Sequence, residues 1–419
     1  MTDLTIKLIL LILFFGSMIG IGLYCRRHAT DVNGFVLGGR SVGPWLTAFA
    51  YGTSYFSAVV FVGYAGQFGW KYGIAATWAG LGNAFIGSLL AWVVLGRRTR
   101  VMTQHLDSAT MPEFFGKRFG SGALKLCASA IIFIFLIPYT ASLYNGLSRL
   151  FGMAFDIDYS VCVVVMAVLT GVYVIAGGYM ATAINDFIQG IIMLFGIAAV
   201  ILAVLHSQGG FLAALESLAR VSDASVSSAP GVFASFFGPD PVNLLGVVIL
   251  TSLGTWGLPQ MVQKFYAIKS EAAISKGTII STFFALVVSG GCYFLGGFGR
   301  LFAGRMQFNP DGSIVGGFDS VIPTMLSGLP AILIAVVVIL VLSASMSTLS
   351  SLVLASSSTL TLDFIKGTVI KDMDEKRQVK WMRGLVVVFI AVSVVLALIQ
   401  YKSSVTFIAQ LMGVSWGAL

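Results

Sequence analysis

"FAYGTSYFSAVVF" occupies residues 49–61 and sets Gly52, Thr53, Ser54 and Ser57 near the middle of an apolar run long enough to cross a bilayer. A second stretch, "LTSLGTWGLPQ" (250–260), breaks another such run with Gly254, Gly257 and Pro259. Proline removes a backbone donor and clashes with the preceding turn, so a helix carrying it bends or stops. The plain alternative is a pair of kinked helices. Their spacing points further. Five spans separate the two interruptions, and five is odd, so the broken helices cross in opposite directions. Two five-span halves, each opening with a broken helix and inverted in topology, are the pattern of a transporter architecture. Unwound backbone at mid-membrane is tolerated where it lines a cavity.

The rest of the chain agrees with a membrane setting. Of 419 residues, 57% are hydrophobic and 10% charged, against roughly a quarter charged in soluble domains. A span needs about 20 apolar residues. Charges, Gly/Pro and polar loops then delimit eleven candidates at about 4–25, 43–67, 73–96, 126–150, 158–177, 182–206, 241–263, 277–301, 325–361, 382–401 and 404–419. The expected organisation is an extra N-terminal helix and cytoplasmic loop (1–42), a first five-helix repeat (43–206), an extracellular loop (207–240) and a second repeat (241–419). The eleventh candidate is short and stops at Leu419 without a polar flank. That reads as a chain cut inside its last core helix, since a helix ending in hydrocarbon leaves carbonyls unsatisfied.

The net charge of +8 sits in short clusters between apolar runs, without interleaved aromatics, which is a topology signal and not a nucleic-acid surface. One set of alternate loops holds Arg26, Arg27, Arg40, Arg97, Arg98, Arg100, Lys117, Arg118, Lys125, Lys264, Lys269, Lys276, Lys366, Lys371, Lys376, Arg377, Lys380 and Arg383. The other holds Lys7, Lys71, Arg149, Arg220, Arg300, Arg305 and Lys402. The positive-inside rule puts the rich set in the cytoplasm and the N-terminus outside a plasma membrane. The four cysteines form no CxxC pair, and the three histidines lie outside the centres of apolar runs. The cysteines suggest core filler with no disulfide framework, and the histidines give no expectation of a zinc or haem site.

"LSASMSTLSS" (342–351) carries six hydroxyls inside a stretch from Met325 to Leu362 without Asp, Glu, Lys or Arg. Ala344, Ser347, Thr348 and Ser351 recur at i, i+3, i+4 and i+7, so they share a helix face; Ser350 lies beside them. One or two such residues are explained by close helix packing or bonds to the preceding turn. At this density, a ligand surface for a hard cation such as Na⁺ explains more, because hydroxyls and carbonyls supply oxygen without burying fixed charge. "AINDFIQG" (183–190) adds Asp186, about one turn into the sixth span. An ionisable group inside a span is a functional candidate, the alternative being a boundary residue facing water.

These stretches, taken together, resemble the sodium/solute symporter family, which includes bacterial proline, pantothenate, sialic acid and sodium/glucose symporters. "FVLGGRSVGPWLTA" resembles the entry to the family's first core helix, "TMPEFFGKRF" (110–119) its cytoplasmic loop motif, and "GGYMATAINDFIQG" (177–190) its fifth core helix. "GLPQMVQKFYAIKSEAAISKG" (257–277) resembles the sixth core helix and the following loop, and "SASMSTLSS" the eighth. The resemblance implies a sodium site made by the carbonyls of Thr53, Phe56 and Ala344 and the hydroxyls of Ser347 and Thr348. It implies a second sodium site, present in some members, at Asp186, Ser347, Ser350 and Ser351. Tyr55 stands where proline symporters carry an Asp and sugar symporters an Asn. Thr255 replaces an aromatic gate, and Val60 a polar residue of the sugar and sialic acid carriers. Tyr55, Ser57, Tyr139, Thr255, Trp256 and Trp416 are the candidates to line a site for a modest organic solute. The expected activity is sodium-coupled import of that solute, with no catalysis. A proton-coupled carrier would lean on Asp186. A channel would need a selectivity ring, and an intramembrane enzyme a nucleophile with His or paired carboxylates within spans.

Overall fold

The computed structural model describes residues 3–155, 158–227, 229–370 and 372–400. Helices make up nearly all of it: among the described residues, extended pairing is limited to isolated bridges such as Val42 with Ile268. The eleventh candidate span and Trp416 lie outside the described residues.

The helices that position the site are α1 (Asp3–Cys25), α2 (Pro44–Tyr55), α3 (Ala65–Tyr72), α4 (Thr77–Gly82, opening a helical run to His105), α5 (Met111–Phe119), α6 (Gly122–Phe155), α7 (Tyr159–Ser207), α8 (Pro241–Leu253), α9 (Pro259–Ala267), α10 (Glu271–Gly296), α11 (Ala331–Thr359) and α12 (Glu375–Gln400). Both expected interruptions are present. The first falls at Phe56–Ser57, between α2 and a π-helical turn (Val59–Tyr64) that leads into α3. That is a few residues later than the Gly52–Ser54 cluster suggested, because those residues complete the last turn of α2. The second falls over Gly254–Leu258, between α8 and α9. Pro259 is the first residue of α9, where its missing N–H has no intrahelical acceptor to lose.

Two long helical runs conceal reversals. α7 has 49 residues, about 73 Å if straight, far more than a bilayer core requires. It turns back at Gly178 (φ 53°, ψ −144°). The partners on α1 give the proof. Gly22 packs on Tyr173, whereas Met18, four residues away, receives Gln189. Sixteen residues of straight helix would separate those contacts by about 24 Å, and four residues of α1 cover about 6 Å. The same happens at Gly73 (φ 62°). Successive contacts on α10 run Gly52–Phe284, Gly69–Gly296, Gly80–Gly290, Ser88–Ser281 and Gly96–Ile274, up the helix and back down. Counting the reversals and the two broken helices, ten crossings lie within the described residues: α1, then five of the first half and four of the second, inverted, half.

Gly178 combines a backbone conformation open to little but glycine with close packing: a Cβ there would lie 2.7 Å from the Phe35 carbonyl oxygen. Gly178→Ala is expected to cost at least about 1–3 kcal/mol of stability, read as a lowered unfolding midpoint in detergent. An unchanged midpoint would mean that the reversal does not depend on this conformation.

Among the described residues, members of the two sets gather at opposite ends of α10. At one, Arg40 donates to the carbonyls of Tyr266 and Ser108, Arg100 to that of Ile268 (2.6 Å), and Arg97 pairs with Glu271. At the other, Arg300 donates to the Trp70 carbonyl (2.6 Å), pairs with Asp223 (3.0 Å) and lies over the Phe233 ring. The basic residues of the first set thus also clamp helix ends, and Arg100 is buried.

Candidate functional site

The break in α2 delivers backbone oxygen to the hydroxyl face of α11. A helix leaves its last carbonyls without intrahelical donors; with α2 ending at Tyr55, Thr53 is among them. Its carbonyl oxygen lies 3.2 Å from Ser347 Oγ and 3.3 Å from Thr348 Oγ1. Those two hydroxyls are themselves 3.2 and 3.1 Å from the Ala344 carbonyl oxygen, one turn back on α11. Four oxygens from two helices therefore converge, and all four residues are fully buried. Phe56, the remaining member of the expected set, caps α2 in an extended conformation, its N–H donating to the Gly52 carbonyl. The set is uncharged and made of hard oxygen donors, the chemistry that suits an alkali cation.

Asp186 sits where the reversal at Gly178 brings the second arm of α7 against α1, α9 and α11. It is fully buried, so it does not face bulk water at a membrane boundary. It does not meet Ser350 and Ser351 directly. Ser350 Oγ donates to the Ser347 carbonyl (3.0 Å). Between Asp186 and Ser351 stands Lys264: its Nζ is 3.8 Å from Asp186 Oδ2 and donates to Ser351 Oγ at 2.9 Å. The 3.8 Å separation is an ion pair and not a hydrogen bond. Lys264 Nζ also lies 5.2 Å from the centre of the Tyr179 ring, where the ring face attracts a cation. Ser351 Oγ is in turn 2.9 Å from Ser54 Oγ, one residue along from Thr53.

Lys264 is the residue that the reading of the loops misplaced. Ending the seventh span at 263 assigned it to a basic loop, yet it is 1% exposed. A signal was available: a helix restarting at Pro259 needs more than the five residues to 263, and the next Lys, Lys269, lies beyond the end of α9.

Beside these clusters, the two breaks enclose a small cavity. Tyr55, Ser57, Tyr139 and Thr255 line it, as does Val60. Ser54, Asn83, Thr251 and Tyr293 also line it and were not anticipated; they come from elements whose mutual placement no local pattern encodes. Trp256 points elsewhere, its indole N–H donating to the Ile86 carbonyl. Among the described residues, the lining carries no ionisable acid or base of the Asp, Glu, Lys, Arg or His type. Tyr55 closes the cavity: its hydroxyl donates to the Thr251 carbonyl at 2.6 Å, joining α2 to α8. The space open to water centres is about 20 Å³, enough for roughly one water. Among the described residues, this conformation is therefore closed around the site.

On the face that carries Arg40 lies a larger cavity, of about 560 Å³, lined by both signs of charge, among them Arg40, Glu113, Lys125 and Glu375. Its wall includes the contact of α5 with the end of the α11 run. Thr110 caps α5 through the Glu113 N–H, and its hydroxyl donates to Asp363 Oδ2 (2.6 Å), which Lys125 also approaches.

Comparison with known proteins places this geometry. An osmoregulated proline transporter of Bacillus subtilis (strain 168) is 27% identical over 412 residues, covering 96% of this chain and 79% of that protein. A sodium/proline symporter of Staphylococcus aureus (strain JH9) is 29% identical over 381 residues, covering 85% and 68%. The solved structure of a Na⁺-coupled sialic acid symporter, in a substrate-bound outward-open state, has the same fold: the TM-score is 0.78 at 16% identity, over 99% of this chain and 85% of that one. Residues 35–419 match the model of the sodium:solute symporter family. The chain therefore belongs to the sodium:solute symporter family, as a multi-pass membrane protein that couples solute movement to sodium and not as an enzyme.

Proposed function

We propose that the oxygens of Thr53, Phe56, Ala344, Ser347 and Thr348 bind the coupling sodium, and that the neighbouring cavity takes up a small organic solute without net charge for import. The convergence of the Thr53 carbonyl with Ser347 and Thr348 carries this reading. Ser54 belongs to both places, lining the cavity and bonding to Ser351, so ion and solute would act on the same turn of α2. An uncharged lining favours a zwitterion or neutral polar molecule, because a ligand with net charge would be buried without a partner. Proline is the first solute to test, given the relatives above, although Tyr55 gives this chain its own lining. Residues 43–206 and 241–419 are the halves that would move against each other to open the site to either side. We place the face carrying Arg40 and Arg100 in the cytoplasm and the N-terminus outside, on the excess of Lys and Arg.

The test is uptake into proteoliposomes with an imposed potential, which adds about 2.3 kcal/mol of drive per charge per 100 mV. Accumulation in sodium medium and none in choline is expected. Equal uptake in both, or uptake without sodium under a pH gradient, would sink the reading in favour of a channel or a proton-coupled carrier. Tyr55→Phe removes one hydrogen bond across the closed cavity, worth about 1 kcal/mol, and should raise the half-saturating solute concentration roughly fivefold. An unchanged value would mean that Tyr55 serves packing alone.

A further inference from the structure

We propose that the Lys264 ammonium is a built-in cation at the place a second sodium would take, so that each cycle couples one sodium ion. The inference rests on the reading of the Thr53–Thr348 cluster as the sodium site. The second set of oxygens, Asp186 and Ser351, is present and buried, but Lys264 Nζ already stands between them. An ammonium and a sodium ion carry the same charge and seek the same oxygens. Among the described residues, Asp186 is the one carboxylate within 4 Å of Lys264. The pair is therefore neutral as it stands. Adding a sodium ion would leave an uncompensated positive charge in a fully buried place, which is expensive.

The contrast with the Thr53–Thr348 cluster makes the assignment specific. There the oxygens are neutral and, among the described residues, no ion pair reaches them, so a mobile cation meets no resident charge. At Asp186 the resident charge is covalently tethered through α9. It neutralises the carboxylate in every state of the cycle and never leaves with the solute. Its position also joins three elements: Asp186 on α7, Ser351 on α11 and its own helix, the second half of a broken span. Through Ser351 and Ser54 it reaches the turn of α2 that presents the Thr53 carbonyl. A tethered ammonium thus holds together the oxygens that would otherwise need an ion to do so.

The experiment is equilibrium binding of radioactive sodium to the purified full chain, counting ions bound per chain at saturation. One ion per wild-type chain is expected, with Thr348→Ala weakening it. In Lys264→Ala the count should rise to two, and in Lys264→Ala with Asp186→Asn it should return to one. Where Lys264→Ala does not fold, Lys264→Gln, uncharged and closer in length, carries the same test. Two ions per wild-type chain, one of them sensitive to Thr348→Ala, would overturn the tethered cation and leave the first site standing. One ion in both wild type and a folded Lys264 variant would also overturn it. No sodium bound by wild type would overturn the sodium site itself, and this inference with it.

Discussion

Asp186→Asn is expected to cost about 3–5 kcal/mol of stability, because it removes the carboxylate and leaves a buried ammonium uncompensated. Lys264 is 1% exposed and cannot reach water without disturbing α9. Asn preserves the shape of Asp186, so little of the loss comes from packing. Lys264→Met in the same chain removes the stranded charge, and the double variant should recover most of the loss. Thermal unfolding in detergent reads the cycle. Equal midpoints for Asp186→Asn and the double variant would mean that the two side chains do not act as a pair. The outcome also separates this role from that of a proton carrier: loss of pH-driven uptake with unchanged stability would favour the latter.

Thr348→Ala is expected to raise the sodium concentration for half-maximal uptake by roughly 10–100-fold. A bond from a neutral group to a charged partner is worth about 1.5–3 kcal/mol, and each 1.4 kcal/mol is about tenfold in affinity. The hydroxyl is held between two carbonyls, of Thr53 and Ala344, at 3.3 and 3.1 Å. Alanine suits a packed membrane helix, and Ser347 still satisfies both carbonyls; folding should survive. Thr348→Ser restores the oxygen without the methyl group and should restore most of the affinity. A normal sodium dependence in Thr348→Ala and in Ser347→Ala would reduce these hydroxyls to packing residues.

Much of this molecule is written in local pattern. Apolar length marks the spans because a bilayer leaves the backbone no water to bond with. Gly254, Gly257 and Pro259 mark a break because they withdraw side-chain packing and a backbone donor from a helix. The i, i+3, i+4 spacing of Ala344, Ser347 and Thr348 puts their oxygens on one face whatever lies opposite. The odd number of spans between the breaks is a count, and inversion follows from it. The sequence alone therefore determines the class, the two halves and one wall of the proposed sodium site.

What lies opposite each wall is decided only in three dimensions. Which carbonyl meets Ser347 depends on where α2 ends, and it ends at Tyr55 and not at the glycine that the composition advertised. Asn83, Thr251 and Tyr293 join Tyr55 around one cavity from separate spans, and no periodicity links them. Lys264 shows the limit most sharply. By sequence it is one more positive charge beside a span. Folding carries it inward because the restart of the helix at Pro259 continues past it, and because Asp186, 78 positions earlier in the chain, is brought to the same depth by the reversal at Gly178. A charge is tolerated in such a place only when its partner is there too, and partnership between distant spans is a property of packing that no single stretch of the chain contains.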